Sequence, residues 1–372
     1  MLKANDYKFF NLPKEYSMAD YSEAIKLVID KYSKIKSLVS IYNWGNPSVS
    51  GISDIDLLLV FKNNSSPLPL LKRSFYFLDS KTRYLATHPF IFIDEQSFRN
   101  ARYIYKNTNF RLLHGKSIKI KKLSSINSHY SDAALLNDII IRHYPRDFLE
   151  QLAGRRINAR NTLLRLNSLK YSIGILEGLT KERGRWDDKL KLIENLRKNW
   201  FNENNFELLA SLNEDSVKIT MGIVEKFREF LIRNNLVKIR SGDCVRYNGI
   251  KNRALFVKGW SRENAMKEMS KTVKNRQKFY SVLPIELSAQ LAEYSRHHGL
   301  ISGYIRKNIS NGIAYNLKYS KVVEKRISIL NRQAELASRL RHSDFAAFFD
   351  FGYRNKSGIN NWILNILDFI RF

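Results

Sequence analysis

Only one cysteine, Cys244, occurs in the 372 residues, which excludes an internal disulfide and any metal cluster built on thiolates. No apolar run approaches the ~18–20 residues that a membrane span requires. The opening stretch, MLKANDYKFFNLPKEYSMADYS, also lacks an uninterrupted apolar core of signal-peptide length. Together these absences lead to the expectation of a soluble, cytoplasmic protein. Acids are scarce, with 35 Asp and Glu against 63 Lys and Arg and a formal charge of +28. Such an imbalance attracts polyanions, whether nucleic acid, nucleotide phosphates or an acidic membrane face. A generally basic style of composition leaves the same mark. A Walker glycine loop, a His-Glu-x-x-His motif and a Gly-x-Ser-x-Gly elbow are all missing, so the chemistries those motifs carry find no support.

What is present is a globular composition, 44% hydrophobic and 12% aromatic, in a chain long enough for two or three domains. Ala24, Ile25, Val28, Ile29 and Tyr32 recur at helical spacing and predict a helix over 19–35. SLVSIYNW (Ser37–Trp44) reads as a strand ended by Gly45. DIDLLLVF (Asp54–Phe61) reads as a second strand, apolar on both faces beyond its aspartates as a central strand is. HPFIFIDEQSF (His88–Phe98) reads as a third. From about residue 126 the pattern turns helical. SDAALLNDIIIRHY opens on a Ser-Asp capping signal, and Asn158–Leu176, Asp187–Trp200 and Glu214–Asn234 follow. Asn248-Gly249 between β-prone runs is a hairpin signal, and further helices finish the chain. These shifts suggest three regions, 1–125, 126–240 and 241–372.

Asp54 and Asp56 carry the chemical interest. Two residues apart on a strand, they project to the same side, where like charges repel unless a cation lies between them. Magnesium takes hard oxygen ligands and commonly uses one or two carboxylates plus substrate phosphates. Nine residues before Asp54, Gly45 permits close backbone approach. Asn46-Pro47 has the look of an N-cap followed by proline at a first helical position, a geometry that offers backbone N–H groups to an anion. The alternative for Asp54 is a turn or capping residue with no metal.

Gly45, Ser53 and the Asp54-Ile55-Asp56 unit, set between two apolar strands at this spacing, resemble the signature of the polymerase-β-like nucleotidyltransferase superfamily. The resemblance covers about residues 19–100. It implies an α+β fold, a small mixed-sheet nucleotidyltransferase-like domain followed by a mostly helical region. It also implies transfer of a nucleoside monophosphate from an NTP to an acceptor with Mg2+. Asp54 and Asp56 would bind the metal, and Gly45, Asn46 and Ser53 would lie at the nucleotide. Asn46 stands where the family usually has serine. The family's third carboxylate belongs on a later strand near His88–Ile91, where no acid occurs. Asp94 is the nearest candidate for it, with His88 a weaker one. A degenerate, non-catalytic member is the alternative this departure raises.

Between Val237 and Tyr280, twelve Lys and Arg face only Asp243, Glu263 and Glu268, with Tyr247, Phe256, Trp260, Phe279 and Tyr280 interleaved. Cations for phosphates and aromatic faces for bases suit RNA or another polyanion. A solvated hairpin whose aromatics serve the core is the plainer alternative. His297-His298 point about 100° apart on a helix and make poor co-ligands. Near the C-terminus, Ile359, Trp362, Ile363, Ile366, Leu367 and Ile370 form one helical stripe. It fits packing on its own domain, or contact with a partner or a membrane surface. The competing functions are therefore a nucleotidyltransferase, a nucleic-acid-binding module on the same fold, and a peripheral factor in surface-glycan or lipid assembly.

Overall fold

The computed structural model of the chain describes residues 4–45, 47–106, 108–250, 253–274, 280–310, 312–342 and 347–354. A short strand β1 (Lys8–Phe10) leads to helix α1 (Met18–Tyr32). That helix opens on a capping box in which the Ser17 side chain accepts from the Asp20 backbone and Asp20 accepts from Ser17. Strands β2 (Leu38–Asn43) and β3 (Leu57–Phe61) fall within the expected runs, although β3 starts at Leu57 rather than at Asp54. Helix α2 (Ser80–Ala86), strand β4 (Ile91–Asp94), helix α3 (Glu95–Arg99) and strand β5 (Arg111–Gly115) complete the first region. Strand β5 is not among the expected strands, because its side chains are mostly exposed or half-buried and carry no clean alternation.

The sheet runs β4-β3-β2-β5, with β3 antiparallel to β2 and parallel to β4. A parallel pair needs a crossover, and the segment carrying α2 provides it. Every residue of β3 is buried. Leu57, Leu59 and Phe61 pack with Tyr21, Ala24 and Val28 of α1, while Leu58 and Val60 join a second core with Phe98. Burying each contributes about 1.5–3 kcal/mol, which accounts for the unbroken apolar run.

Next come α4 (Ser125–His143), α5 (Arg146–Gly154), β6 (Arg156–Asn158), α6 (Ala159–Thr180), α7 (Asp187–Lys198), α8 (Trp200–Glu203) and α9 (Phe206–Arg233). Helix α4 begins six residues before the expected Ser131. Ser124 is its N-cap, and Ser131 is buried inside it. The first turn carries mainly polar residues, so the apolar periodicity starts late. Strand β6 pairs in parallel with β1 and ties this region to the N-terminal segment.

The remaining elements are β7 (Val237–Ser241), β8 (Cys244–Asn248), β9 (Arg253–Val257), α10 (Arg262–Lys274), β10 (Ser281–Pro284), α11 (Ser288–Arg296), α12 (Leu300–Asn308), β11 (Ala314–Leu317) and α13 (Ser320–Arg339). Strands β8 and β9 pair antiparallel across Asn248-Gly249, the expected hairpin, and β10 joins β9 in parallel. Helix α13 returns to pack on β4, with Leu336 in the core beneath β3. On α13, Arg326 is fully buried and donates to Asp138 of α4 and to the Tyr103 and Ile104 carbonyls. The fold is α+β, a small mixed sheet followed by a mostly helical region.

The aromatics of the basic segment correct the base-stacking expectation. Tyr247, Phe256 and Trp260 lie in the core. Tyr247 donates its hydroxyl to the Phe351 carbonyl (2.7 Å), and the Trp260 indole donates to Val282 (3.1 Å). Alternation along β8 and β9 turns one face inward, and that face carries Tyr247 and Phe256, while Trp260 lies beyond the end of β9. Tyr280 is half-buried with its hydroxyl on Asn248. Phe279 and the C-terminal stripe lie outside the described residues. Among those described, no helix is long and apolar enough to cross a membrane.

Candidate functional site

Because β3 and β4 run parallel, the residues that precede them emerge at the same edge of the sheet. Leu58 pairs with Ile91, so Asp56, just before β3, comes level with His88, just before β4. Strand β2 runs the other way and delivers Gly45 to that edge. The two aspartates sit in the loop that enters β3 rather than within the strand. Backbone bonds hold that loop: Trp44 N–H donates to the Asp56 carbonyl (3.2 Å) and Ile55 N–H to Leu85 (2.9 Å).

One ligand atom from each of Asp54, Asp56 and His88 lies within 4.8 Å of the others. The Asp54 carboxylate accepts from the Thr87 hydroxyl (3.0 Å), and Asp56 Oδ1 faces His88 Nε2 at 2.9 Å. His88 Nδ1 faces the Pro89 carbonyl at 2.8 Å. Both ring nitrogens thus meet oxygens that only accept, an arrangement satisfied by the imidazolium alone. Burial works against that charge, but the bond to Asp56 and the charges of Asp56 and Asp54 outweigh it and push His88 up to about 9. Burial and the neighbouring Asp56 raise the Asp54 carboxyl above its ordinary range, while His88 and Thr87 oppose them. Thr87 had no sequence signal. It is a β-branched residue at φ +55°, a conformation costing on the order of 1–3 kcal/mol, and there it sets its hydroxyl on Asp54.

Gly45 lies against the pair. A Cβ at that position would stand 3.1 Å from Asp56 Oδ2, so a side chain there would crowd the carboxylate and glycine leaves the approach open. The expected helix after Asn46-Pro47 is a turn instead, and Asn46 lies outside the described residues. Ser53 shapes that turn: its Oγ accepts from the backbone N–H groups of Ser48 (3.1 Å) and Val49 (3.0 Å). The two donors that a helix N-terminus would have offered to an anion are therefore spent within the chain. Gly51, at φ +73°, lets the turn press onto Lys14 and Phe201, where a side chain would clash.

Asp94, expected as the third ligand, is not brought to the pair. It stands opposite Phe61 at the far ends of both strands, about 16 Å from the aspartates at ~3.3 Å per residue. There it caps α3 through the Ser97 N–H (3.0 Å) and hydroxyl (2.7 Å), and it receives Arg332 from α13 at 2.7 and 3.1 Å. His88, the weaker candidate, occupies the third corner.

No family model matches the chain, and no curated protein does either. Among solved structures, the crystal structure of a spectinomycin adenyltransferase from Enterococcus faecialis with ATP and spectinomycin is similar at a TM-score of 0.29 and 11% identity. The match covers 55% of this chain and 100% of that one. A likeness of that size leaves function to the geometry of the site.

Proposed function

We propose that the chain is a metal-dependent nucleotidyltransferase that moves a nucleoside monophosphate from an NTP to an acceptor and releases pyrophosphate. One observation carries this reading: two carboxylates, Asp54 and Asp56, are held together beside a closely approaching glycine at a sheet edge. Their oxygens are hard donors that fit magnesium or manganese, whereas the imidazole of His88 is a softer one. In this reading Asp54 and Asp56 are the ligands, and His88 orients Asp56 from behind. A divalent cation there supplies charge neutralisation on the reacting phosphates. Gly45 keeps the space before Asp56 free of a side chain. The overall charge of +28 favours a phosphate-rich acceptor, RNA included.

A second reading is nucleotide binding without transfer. It is supported by His88 at the corner where the resemblance calls for a carboxylate. Incubation with each labelled NTP and magnesium, with and without total RNA, separates the two. Pyrophosphate release that vanishes in Asp56→Ala supports transfer. Metal-dependent NTP binding with no release supports the second reading, and absence of both refutes each.

A further inference from the structure

Two arginines from the helical region reach the turn before Asp54 and are buried there without an acidic partner among the described residues. Arg160, in the first turn of α6, is 3% exposed, and Arg197, near the end of α7, is 4% exposed. Arg197 donates through Nη2 to Ser53 Oγ (3.3 Å) and through Nη1 to Asn167 (2.5 Å). Arg160 donates through Nη1 to the Tyr84 carbonyl (2.5 Å) and lies 3.6 Å from the centre of the Tyr84 ring. Tyr84 donates in turn to the Gly51 carbonyl of the same turn (2.8 Å). The other donors, Nε and Nη2 of Arg160 and Nε of Arg197, are buried and meet no acceptor among the described residues.

A buried N–H of a charged group left without an acceptor carries its full desolvation cost. Arg326, which is also fully buried, is by contrast paired with the Asp138 carboxylate. Burial lowers both Arg160 and Arg197 from the ordinary arginine value, and the charge of Asp54 reaches both and opposes that effect. Asp54 is already engaged with Thr87 and sits beside Asp56 and His88. Neither guanidinium therefore has a carboxylate of its own, and a bound divalent cation would add positive charge beside both.

We infer that Arg160 and Arg197 hold the phosphate-bearing end of the substrate through these unused N–H groups, with Ser53 and Tyr84 fixing the two guanidiniums in place. Naming that anion a nucleotide triphosphate rests on the nucleotidyltransferase reading. The arginines' need for an acceptor does not.

The two can be tested apart. Inorganic tripolyphosphate in EDTA, followed by calorimetry, reads the arginines alone. Mn2+ titration followed by electron paramagnetic resonance, without phosphate, reads the carboxylates alone. The parent should bind tripolyphosphate, and Arg160→Gln and Arg197→Gln should each weaken that binding by roughly 10- to 100-fold while Mn2+ binding stays unchanged. If a glutamine variant fails to fold, Arg→Lys at the same position keeps the charge and loses the planar fork, with a loss of about tenfold expected. In the parent itself, arginine Nε–H resonances should shift as tripolyphosphate is added. Unchanged affinity in a folded variant, or no binding by the parent, overturns the inference. Arginine-dependent tripolyphosphate binding in a parent that takes up no Mn2+ upholds it and refutes the nucleotidyltransferase reading.

Discussion

Asp54→Asn separates a functional acid pair from a structural one. In the parent the two carboxylates and His88 present ligand atoms within 4.8 Å of one another. At an effective dielectric of about 20, unit charges at that distance interact by about 3.5 kcal/mol. The Asp54–Asp56 repulsion and the Asp54–His88 attraction therefore oppose each other, and the burial of Asp54 adds to the repulsion and tips the balance against the charge. Asparagine keeps an oxygen for the Thr87 hydroxyl and removes that cost. Without metal, the variant should be as stable as the parent or gain about 1 kcal/mol, a rise of roughly 1–2 °C in Tm for a cooperative unit of this length. With magnesium at ten times its Kd, the parent should gain about 1.4 kcal/mol, and the variant should gain little. Urea denaturation in EDTA and in MgCl2 reads all four states. A loss of 3–5 kcal/mol in EDTA, the mark of a broken buried ion pair, or equal magnesium responses, would refute the reasoning.

Asp94→Asn should cost about 1–3 kcal/mol through the Arg332 contact and the α3 cap, yet leave magnesium affinity untouched by calorimetry. A large fall in that affinity would return Asp94 to the site. Arg326→Gln leaves Asp138 buried without its cation and should cost about 3–5 kcal/mol in urea, whereas a loss below about 1 kcal/mol would show that the pair is dispensable. Burial and the nearby Arg165 hold His143 down at about 3, against about 6.5 in the unfolded chain. Its folded value is depressed, so its contribution is complete above pH 6.5 and is lost as pH falls toward 3, by up to about 1.4 kcal/mol per unit. A His143→Gln variant should flatten that part of the stability profile, and an unchanged slope from pH 6.5 to 4 would refute the assignment.

The α1 helix, strands β2 and β3, and the pairing of Gly45 with Asp54 and Asp56 were legible because each depends on periodicity or on residues less than a dozen positions apart. A run such as Leu57–Phe61 reads as a buried central strand whatever surrounds it. Asn248-Gly249 likewise announces its hairpin through local backbone preference. What the sequence left open were choices made by elements distant along the chain. Whether His88 or Asp94 meets the aspartates depends on β3 and β4 running parallel, which brings together the starts of the two strands and sends Asp94 to Arg332. Local pattern carries no record of that direction. The rings of Tyr247 and Phe256 have the same spacing for either face of the β8–β9 ribbon, and only the packing against them sends that face inward. Arg160 and Arg197 look like ordinary helix cations in sequence. They become buried and unpaired only because α6 and α7 fold back over a turn more than a hundred residues upstream.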